Sequence, residues 1–368
     1  MTLPAISFAL PLTSEPRWSD MLAVLAATDP LPLCGLLGIK EPHLQLQVCR
    51  EVAVDAENQP DIVIERGGQR LAVIEVKVLA GLGLNQLQRY VDAVPDAHVY
   101  AVIYPQRLVI DVAGAPPWRG VTWEDLLQAY CRSEHQWVAA CAKAWLQHLE
   151  SALPKVDAGT IWNVLIDDED FIIAMRARMS WLHGQLNPPA PIQHDLVCST
   201  SGVSWVARLY TDTPAPDYEI VTEVEEKLPV RNFPKYANRD WRQPQGPSIK
   251  VCLAQRNVKT SAGFDWDYLL RMWQVMQEAR QDWVTNPARP KAPHDVAGYR
   301  RMVANGGPPY LGIGFGERQT KYTRTCMFGA RIQLPPDTTL GHLAAFVDDL
   351  YPLIADMARV SPPERAVP

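Results

Sequence analysis

Two apolar runs of strand length flank a Gly-Gly pair, and no other stretch of the 368-residue chain constrains its folding as tightly. The first is Pro60-Asp61-Ile62-Val63-Ile64-Glu65 and the second Leu71-Ala72-Val73-Ile74-Glu75-Val76-Lys77-Val78. β-Branched residues dominate both, and Gly67-Gly68 supplies a turn, so the window reads as a β-hairpin. Residues i and i+2 of a strand share a face, which sets Glu75 beside Lys77 and turns Ile74, Val76 and Val78 the other way. A carboxylate and an ammonium inside so apolar a run are costly unless they pair or meet a cation.

Asp61 reaches the same face as Glu75 only if paired positions across the hairpin have an even sum, which asks for an odd-length loop. A three-residue loop, Arg66-Gly67-Gly68, meets this, pairing Glu65 with Gln69 and setting Asp61 diagonal to Glu75. Two carboxylates and a lysine then converge, with the backbone carbonyl of Val76 as a further oxygen. That donor set suits Mg²⁺ or Mn²⁺, which takes a few carboxylate and carbonyl oxygens and keeps several waters. Beside such an ion, Lys77 could orient or deprotonate a water or stabilise charge on a reacting phosphate. A lone E-x-K in a strand equally suits a structural ion pair at a sheet edge.

Downstream, Gln86 and Tyr90 are spaced i and i+4 on a helix expected from about Leu84 to Val94, with Leu87, Val91 and Val94 on the neighbouring, sheet-facing side. Taken alone, the Gln86 and Tyr90 pair suits an ordinary solvated helix edge.

The order Glu51, Pro60-Asp61, Glu75-Val76-Lys77, Gln86-Leu87-Gln88-Arg89-Tyr90 resembles the PD-(D/E)XK nuclease superfamily, in the branch whose helix after the E-x-K strand carries a Q-L-x-x-Y motif, as in RecB-like nucleases. The resemblance covers roughly residues 15 to 115. It implies an α/β, restriction-endonuclease-like core with a mixed central sheet flanked by helices. It further implies metal binding by Asp61 and Glu75, a catalytic lysine at Lys77, and supporting roles for Gln86 and Tyr90. Glu51 is the expected upstream glutamate, with Glu41 and Asp55 as competitors. Members of this kind act in restriction, phage defence, recombination or repair, so a Mg²⁺-dependent deoxyribonuclease is expected. RNA cleavage by the same site, or an inactive nucleic-acid-binding module, are the alternatives.

The remaining pattern fits such a core. A helix is expected around Trp18 to Leu37, strands near Leu46 to Val54, His98 to Ile103 and Arg107 to Val112, and a helix from Trp123 to about Leu153. Three segments follow: a nuclease domain over 1–118, a helical connector over 119–156, and an α+β domain over 157–368 that binds substrate or controls access. In the last, Val203 to Tyr210, Ile249 to Ala254 and Leu311 to Phe315 read as strands, and Trp266 to Val284 and Leu340 to Met357 as helices. Asp167-Asp168-Glu169-Asp170 suits a solvated loop or helix start better than a metal cluster.

Composition excludes some classes. With 47% hydrophobic residues the chain can bury a sizeable core. Its seven cysteines are scattered without a C-x-x-C pair, against a zinc cage or a disulfide framework. No apolar run approaches a membrane span and the amino terminus lacks a basic start, so a cytoplasmic protein without a membrane partner is expected. Net charge is −6, yet Lys227 to Arg331 holds 18 Lys plus Arg against 7 Asp plus Glu, a surplus of 11 that leaves −17 elsewhere. Such a region can follow a phosphate backbone. Within it Arg231, Lys235, Tyr236, Arg239, Trp241 and Arg242 interleave cations and aromatics in the manner of nucleic-acid contacts, or of a polar loop packed on its domain. Lys321-Tyr322-Thr323-Arg324 repeats the pattern more weakly. Cleaving both strands of a duplex from a single site calls for a homodimer or repeated nicking, and a regulatory partner would leave no mark in the sequence.

Overall fold

The computed structural model describes residues 14–40, 46–55, 58–79, 81–82, 86–108, 110, 112, 117–163, 168–198, 205–225, 246–258, 266–280, 310–314 and 324–362. The protein is α/β and divides into two compact units, Met1–Lys155 with Asp167–Trp181, and Val156–Ile166 with Leu182–Pro368.

The first unit is built on a five-stranded mixed sheet, ordered β1-β2-β3-β4-β5. Its strands are β1 (Gln47–Arg50), β2 (Ile62–Arg66), β3 (Gln69–Val76), β4 (Val99–Tyr104) and β5 (Trp118–Thr122). The first three pair antiparallel, and β3, β4 and β5 run parallel. A parallel step needs a crossover, which α3 (Gln86–Ala93) provides between β3 and β4. Leu87, Tyr90 and Val94 of this segment bury against Val73, Tyr100, Val102 and Trp118.

Before the sheet come α1 (Glu15–Thr28) and α2 (Leu31–Leu36). They replace the single helix expected over Trp18 to Leu37, because Pro30 and Pro32 interrupt the backbone ladder and Asp29 accepts the N–H of Leu31 at 3.1 Å to begin a new helix. After the sheet come α4 (Trp123–Tyr130) and α5 (Gln136–Ala152), again two helices where one was expected. Thr122 caps α4 by accepting from the N–H of Asp125. Wholly buried Trp18, Trp123 and Trp145 bring α1, α4 and α5 together, with ring centroids 4.9 to 5.3 Å apart. Residues of the expected 119–156 connector thus supply an edge strand and core tryptophans of the first unit.

The hairpin differs from expectation in an instructive way. Its loop has two residues, Gly67 and Gly68, at φ +55° and +82°, and Arg66 pairs with Gln69. A two-residue turn with both centres left-handed needs glycine or its like at each place. The register then shifts between Ile64 and Glu65, so that Ile64 faces Ala72 and Ile62 faces Ile74. That bulge restores the even sum, and Asp61 falls opposite Glu75 rather than diagonal to it. No strand forms at Arg107 to Val112 among its described residues; Leu108 closes a turn on Pro105 at 2.9 Å, and β5 follows.

The second unit holds a six-stranded antiparallel sheet, ordered β10-β11-β9-β8-β7-β6. The strands are β6 (Gln193–Cys198), β7 (Trp205–Asp212), β8 (Tyr218–Glu225), β9 (Ser248–Val258), β10 (Tyr310–Gly314) and β11 (Arg324–Gln333). Helix α6 (Asp168–Gln185), which belongs to the first unit as far as Trp181, precedes these strands in sequence and begins within the acidic run. Helix α7 (Trp266–Ala279) packs on β11, and α9 (Tyr351–Arg359) on β7 and β8. The single helix expected over Leu340 to Met357 is α8 (Leu340–Asp348) followed by α9, with Pro352 in the first turn of the second. No helix is long and apolar enough to cross a membrane among the described residues.

Candidate active site

Where β3 ends, the hairpin, α1 and α3 converge on a small set of polar side chains. Glu75 and Lys77 are buried, at 3% and 7% exposure. The Lys77 ammonium lies 2.7 Å from Glu75 Oε1, and the same oxygen accepts a hydrogen bond from Gln86 Nε2 at 2.7 Å. Gln86 Nε2 is also 3.1 Å from the Tyr90 hydroxyl, which donates to the carbonyl of Gln59 at 3.3 Å. The i and i+4 spacing therefore makes one connected pair: Gln86 touches the buried carboxylate, and Tyr90 ties it to the chain just before Asp61.

Asp61 arrives from the other side of the hairpin. Its Oδ2 accepts the backbone N–H of Val76 at 2.8 Å, which anchors it to the residue between Glu75 and Lys77. Its Oδ1 lies 3.4 Å from Ser19 Oγ of α1 and 3.8 Å from Arg50. Arg50 braces this corner, donating to the carbonyl of Asp61 at 3.0 Å and to Asp20 at 2.8 Å. Val76 is thus at the site through its amide, directly after Glu75.

Sequence reasoning missed Glu15. Placed in the first turn of α1, it accepts the N–H of Val78 at 2.8 Å through Oε1 and sets Oε2 3.7 Å from the Lys77 ammonium. An acidic residue opening the helix before the first strand was visible, but acids are common at helix starts for the dipole alone. Glu51 lies elsewhere. It has left β1 in a left-handed conformation, φ +48°, and its half-exposed carboxylate meets Arg50 at 3.1 Å. The carboxylate that reaches Lys77 from upstream is therefore Glu15. Of the competitors, Asp55 caps a local turn at Asn58 and Glu41 is outside the described residues.

Burial dominates the electrostatics. It pushes the Glu75 carboxyl up to about 7, against the opposing pull of Lys77. Asp61 is raised too, by burial first, while the Val76 N–H and Lys77 act to lower it. For Lys77 burial favours the neutral amine, but Glu75 and Glu15 outweigh it and hold the ammonium above its ordinary value. Three carboxyl groups crowd one lysine in a poorly solvated spot, and burial resists the charged form of two of them. Glu75 Oε2 is buried without a hydrogen-bond partner. A buried acceptor left unmet costs about 1–3 kcal/mol, and more when charged. Glu75 Oε2 and Asp61 Oδ1 are the side-chain oxygens here that could hold a divalent cation, which takes hard oxygen donors of this kind. No group of three or more His, Cys, Asp and Glu placed to hold a metal ion occurs among the described residues.

The nucleic-acid candidates Arg231, Lys235, Tyr236, Arg239, Trp241 and Arg242 fall in 226–245, outside the described residues, as do Lys321, Tyr322 and Thr323. The charge surplus of their region reads differently in the fold. Lys250 pairs with Glu223 at 3.0 Å and with Glu225, Arg331 with Glu225 at 3.0 Å, and Arg256 with Glu219. On one face of the second sheet Asp195, Arg208, Glu223, Lys250 and Arg331 stand in register across β6, β7, β8, β9 and β11. Three cations counted in the surplus are thus matched by acids just upstream of Lys227.

Comparison with known protein families, with curated proteins and with solved structures returned no match.

Proposed function

We propose that this protein is a metal-dependent nuclease of the PD-(D/E)XK kind with a restriction-endonuclease-like core, hydrolysing phosphodiester bonds of DNA. One observation carries the reading: Asp61, Glu75 and Lys77, from the two arms of the hairpin, meet at the end of β3 with Gln86 bonded to Glu75. A structural ion pair would need Lys77 and one carboxylate. It gives no reason for further carboxylates at Asp61 and Glu15 around the same lysine, or for a buried Glu75 oxygen without a partner.

Mg²⁺ or Mn²⁺ bound by Asp61 and Glu75 would polarise the phosphodiester and acidify a water. The chain's own groups do the rest. Gln86 fixes the Glu75 carboxylate, Asp61 is set by the Val76 amide, and Lys77 presents a cation to the attacking water and to charge growing on the phosphate. DNA as substrate, and a place in restriction, phage defence or repair, follow from the resemblance of the motif.

The test is incubation with plasmid, linear duplex and single-stranded DNA and with RNA, in Mg²⁺, Mn²⁺ or EDTA, beside Lys77→Ala. Mg²⁺-dependent DNA cleavage lost in the variant supports the reading. Cleavage of RNA alone moves it to a ribonuclease, and binding without cleavage of any substrate leaves an inactive module.

A further inference from the structure

Lys77 is the first residue beyond β3, so the sheet no longer fixes its backbone fully. Three bonds do so instead. Its N–H donates to the carbonyl of Ile103 at 2.8 Å, its carbonyl accepts the indole N–H of Trp123 at 3.0 Å, and the next N–H, of Val78, donates to Glu15 at 2.8 Å. These partners come from β4, α4 and α1. Trp123 is wholly buried, with its ring centroid 5.3 Å from that of Trp18 and 4.9 Å from that of Trp145. Trp18 follows Glu15 by one helical turn, so Trp123 holds the carbonyl of Lys77 while its ring packs on the helix that brings Glu15 to the ammonium, and Trp145 touches neither group.

A buried carbonyl without a donor is costly, and a peptide free to rotate there would swing the long Lys77 side chain. Displacement of a catalytic group by about 1 Å can cost about 100-fold in rate. Taking the nuclease reading of the site as its ground, we propose that Trp123 is a positioning residue for Lys77, and that the catalytic unit therefore extends past residue 118 into α4.

Full-length Trp123→Phe keeps an aromatic ring and removes the N–H; Trp145→Phe trims the same cluster from α5. Trp123→Phe is expected to lower kcat about tenfold with KM within about twofold, and to speed amide hydrogen exchange at Lys77 and Val78. Trp145→Phe, at a comparable fall in Tm, should leave kcat within about twofold and those amides unchanged. Should Trp123→Phe not fold, β-(3-benzothienyl)alanine at position 123 replaces the N–H by sulfur at nearly the same size and carries the same expectations. Unchanged kcat and exchange, or equal losses from both tryptophans, overturns the proposal. If the wild type cleaves nothing, the nuclease reading fails and hydrogen exchange at Lys77 and Val78 alone decides the positioning.

Discussion

The carboxylate of Asp61 accepts the backbone N–H of Val76 at 2.8 Å, linking the residue just before β2 to the last residue of β3. Asn offers the same acceptor without the charge, whereas Ala leaves the N–H unmet. Asp61→Asn should fold with a Tm close to wild type but lose cleavage by at least about 100-fold, together with any Tm rise on adding Mg²⁺. Asp61→Ala should lose the same activity and also about 1–3 kcal/mol of stability. Thermal unfolding with and without Mg²⁺ checks both, and an active Asp61→Asn protein would remove Asp61 from the site.

Glu15 and Glu51 separate two accounts of the upstream carboxylate. Glu15 touches Lys77 and the Val78 amide, and Glu51 touches Arg50. Glu15→Gln is expected to lower kcat/KM by about tenfold or more, and Glu51→Gln by less than about threefold. The reverse order of losses would restore Glu51.

The hairpin shows how far the sequence carries and where it stops. Parity on one sheet face requires an even sum, and the chain achieves it, but through a bulge beside Ile64 rather than a three-residue loop. Both solutions satisfy the same hydrophobic pattern, and only backbone hydrogen bonding chooses between them. Lys77 and Glu75 were legible because charges in an apolar strand stand out, and Gln86 because its place in the Q-L-x-x-Y spacing resembles a known motif. Glu15 was not, since it comes from more than fifty residues upstream and resembles any acid at a helix start. Nor was β8, whose Tyr218-Glu219-Ile220-Val221-Thr222-Glu223-Val224-Glu225 looks too acidic for a strand until Lys250, Arg256 and Arg331 are placed against it.

Gln86 and Tyr90 should act as one unit, because Gln86 bonds both Glu75 and the Tyr90 hydroxyl. Gln86→Leu is expected to cost about tenfold in kcat and Tyr90→Phe a few-fold, while the double variant should cost little more than Gln86→Leu alone. Fully additive losses would show that the two contacts work independently.

The raised Glu75 carboxyl makes a signed pH prediction for the metal-free protein. Its folded value is about 7 against an ordinary 4.5, so between these limits the folded chain holds a proton that the unfolded chain has lost. Its contribution to stability is therefore fully present below about pH 4.5 and declines as pH rises to about 7, by at most about 1.4 kcal/mol per unit. In EDTA, stability of the wild type relative to Glu75→Gln should fall across this window. A difference that rises with pH would mean that Lys77 outweighs burial at Glu75.

The ion pairs of the second sheet predict a purely structural effect. Lys250→Met takes a cation from Glu223 while Glu225 keeps Arg331, and should destabilise the protein by about 1–3 kcal/mol. Affinity for nucleic acid, measured on the folded fraction at fixed salt, should not change. A large affinity loss would instead assign Lys250 to phosphate contact.

The central claim is that two carboxylates and Lys77 form a metal-dependent phosphodiesterase site. Its most direct measurement is the initial rate of supercoiled plasmid cleavage in Mg²⁺ and in EDTA, for the wild type and for Lys77→Met. Cleavage by the wild type in Mg²⁺ alone, slowed at least about 1,000-fold by the substitution, is the predicted result. Cleavage that persists in EDTA and in Lys77→Met would contradict it.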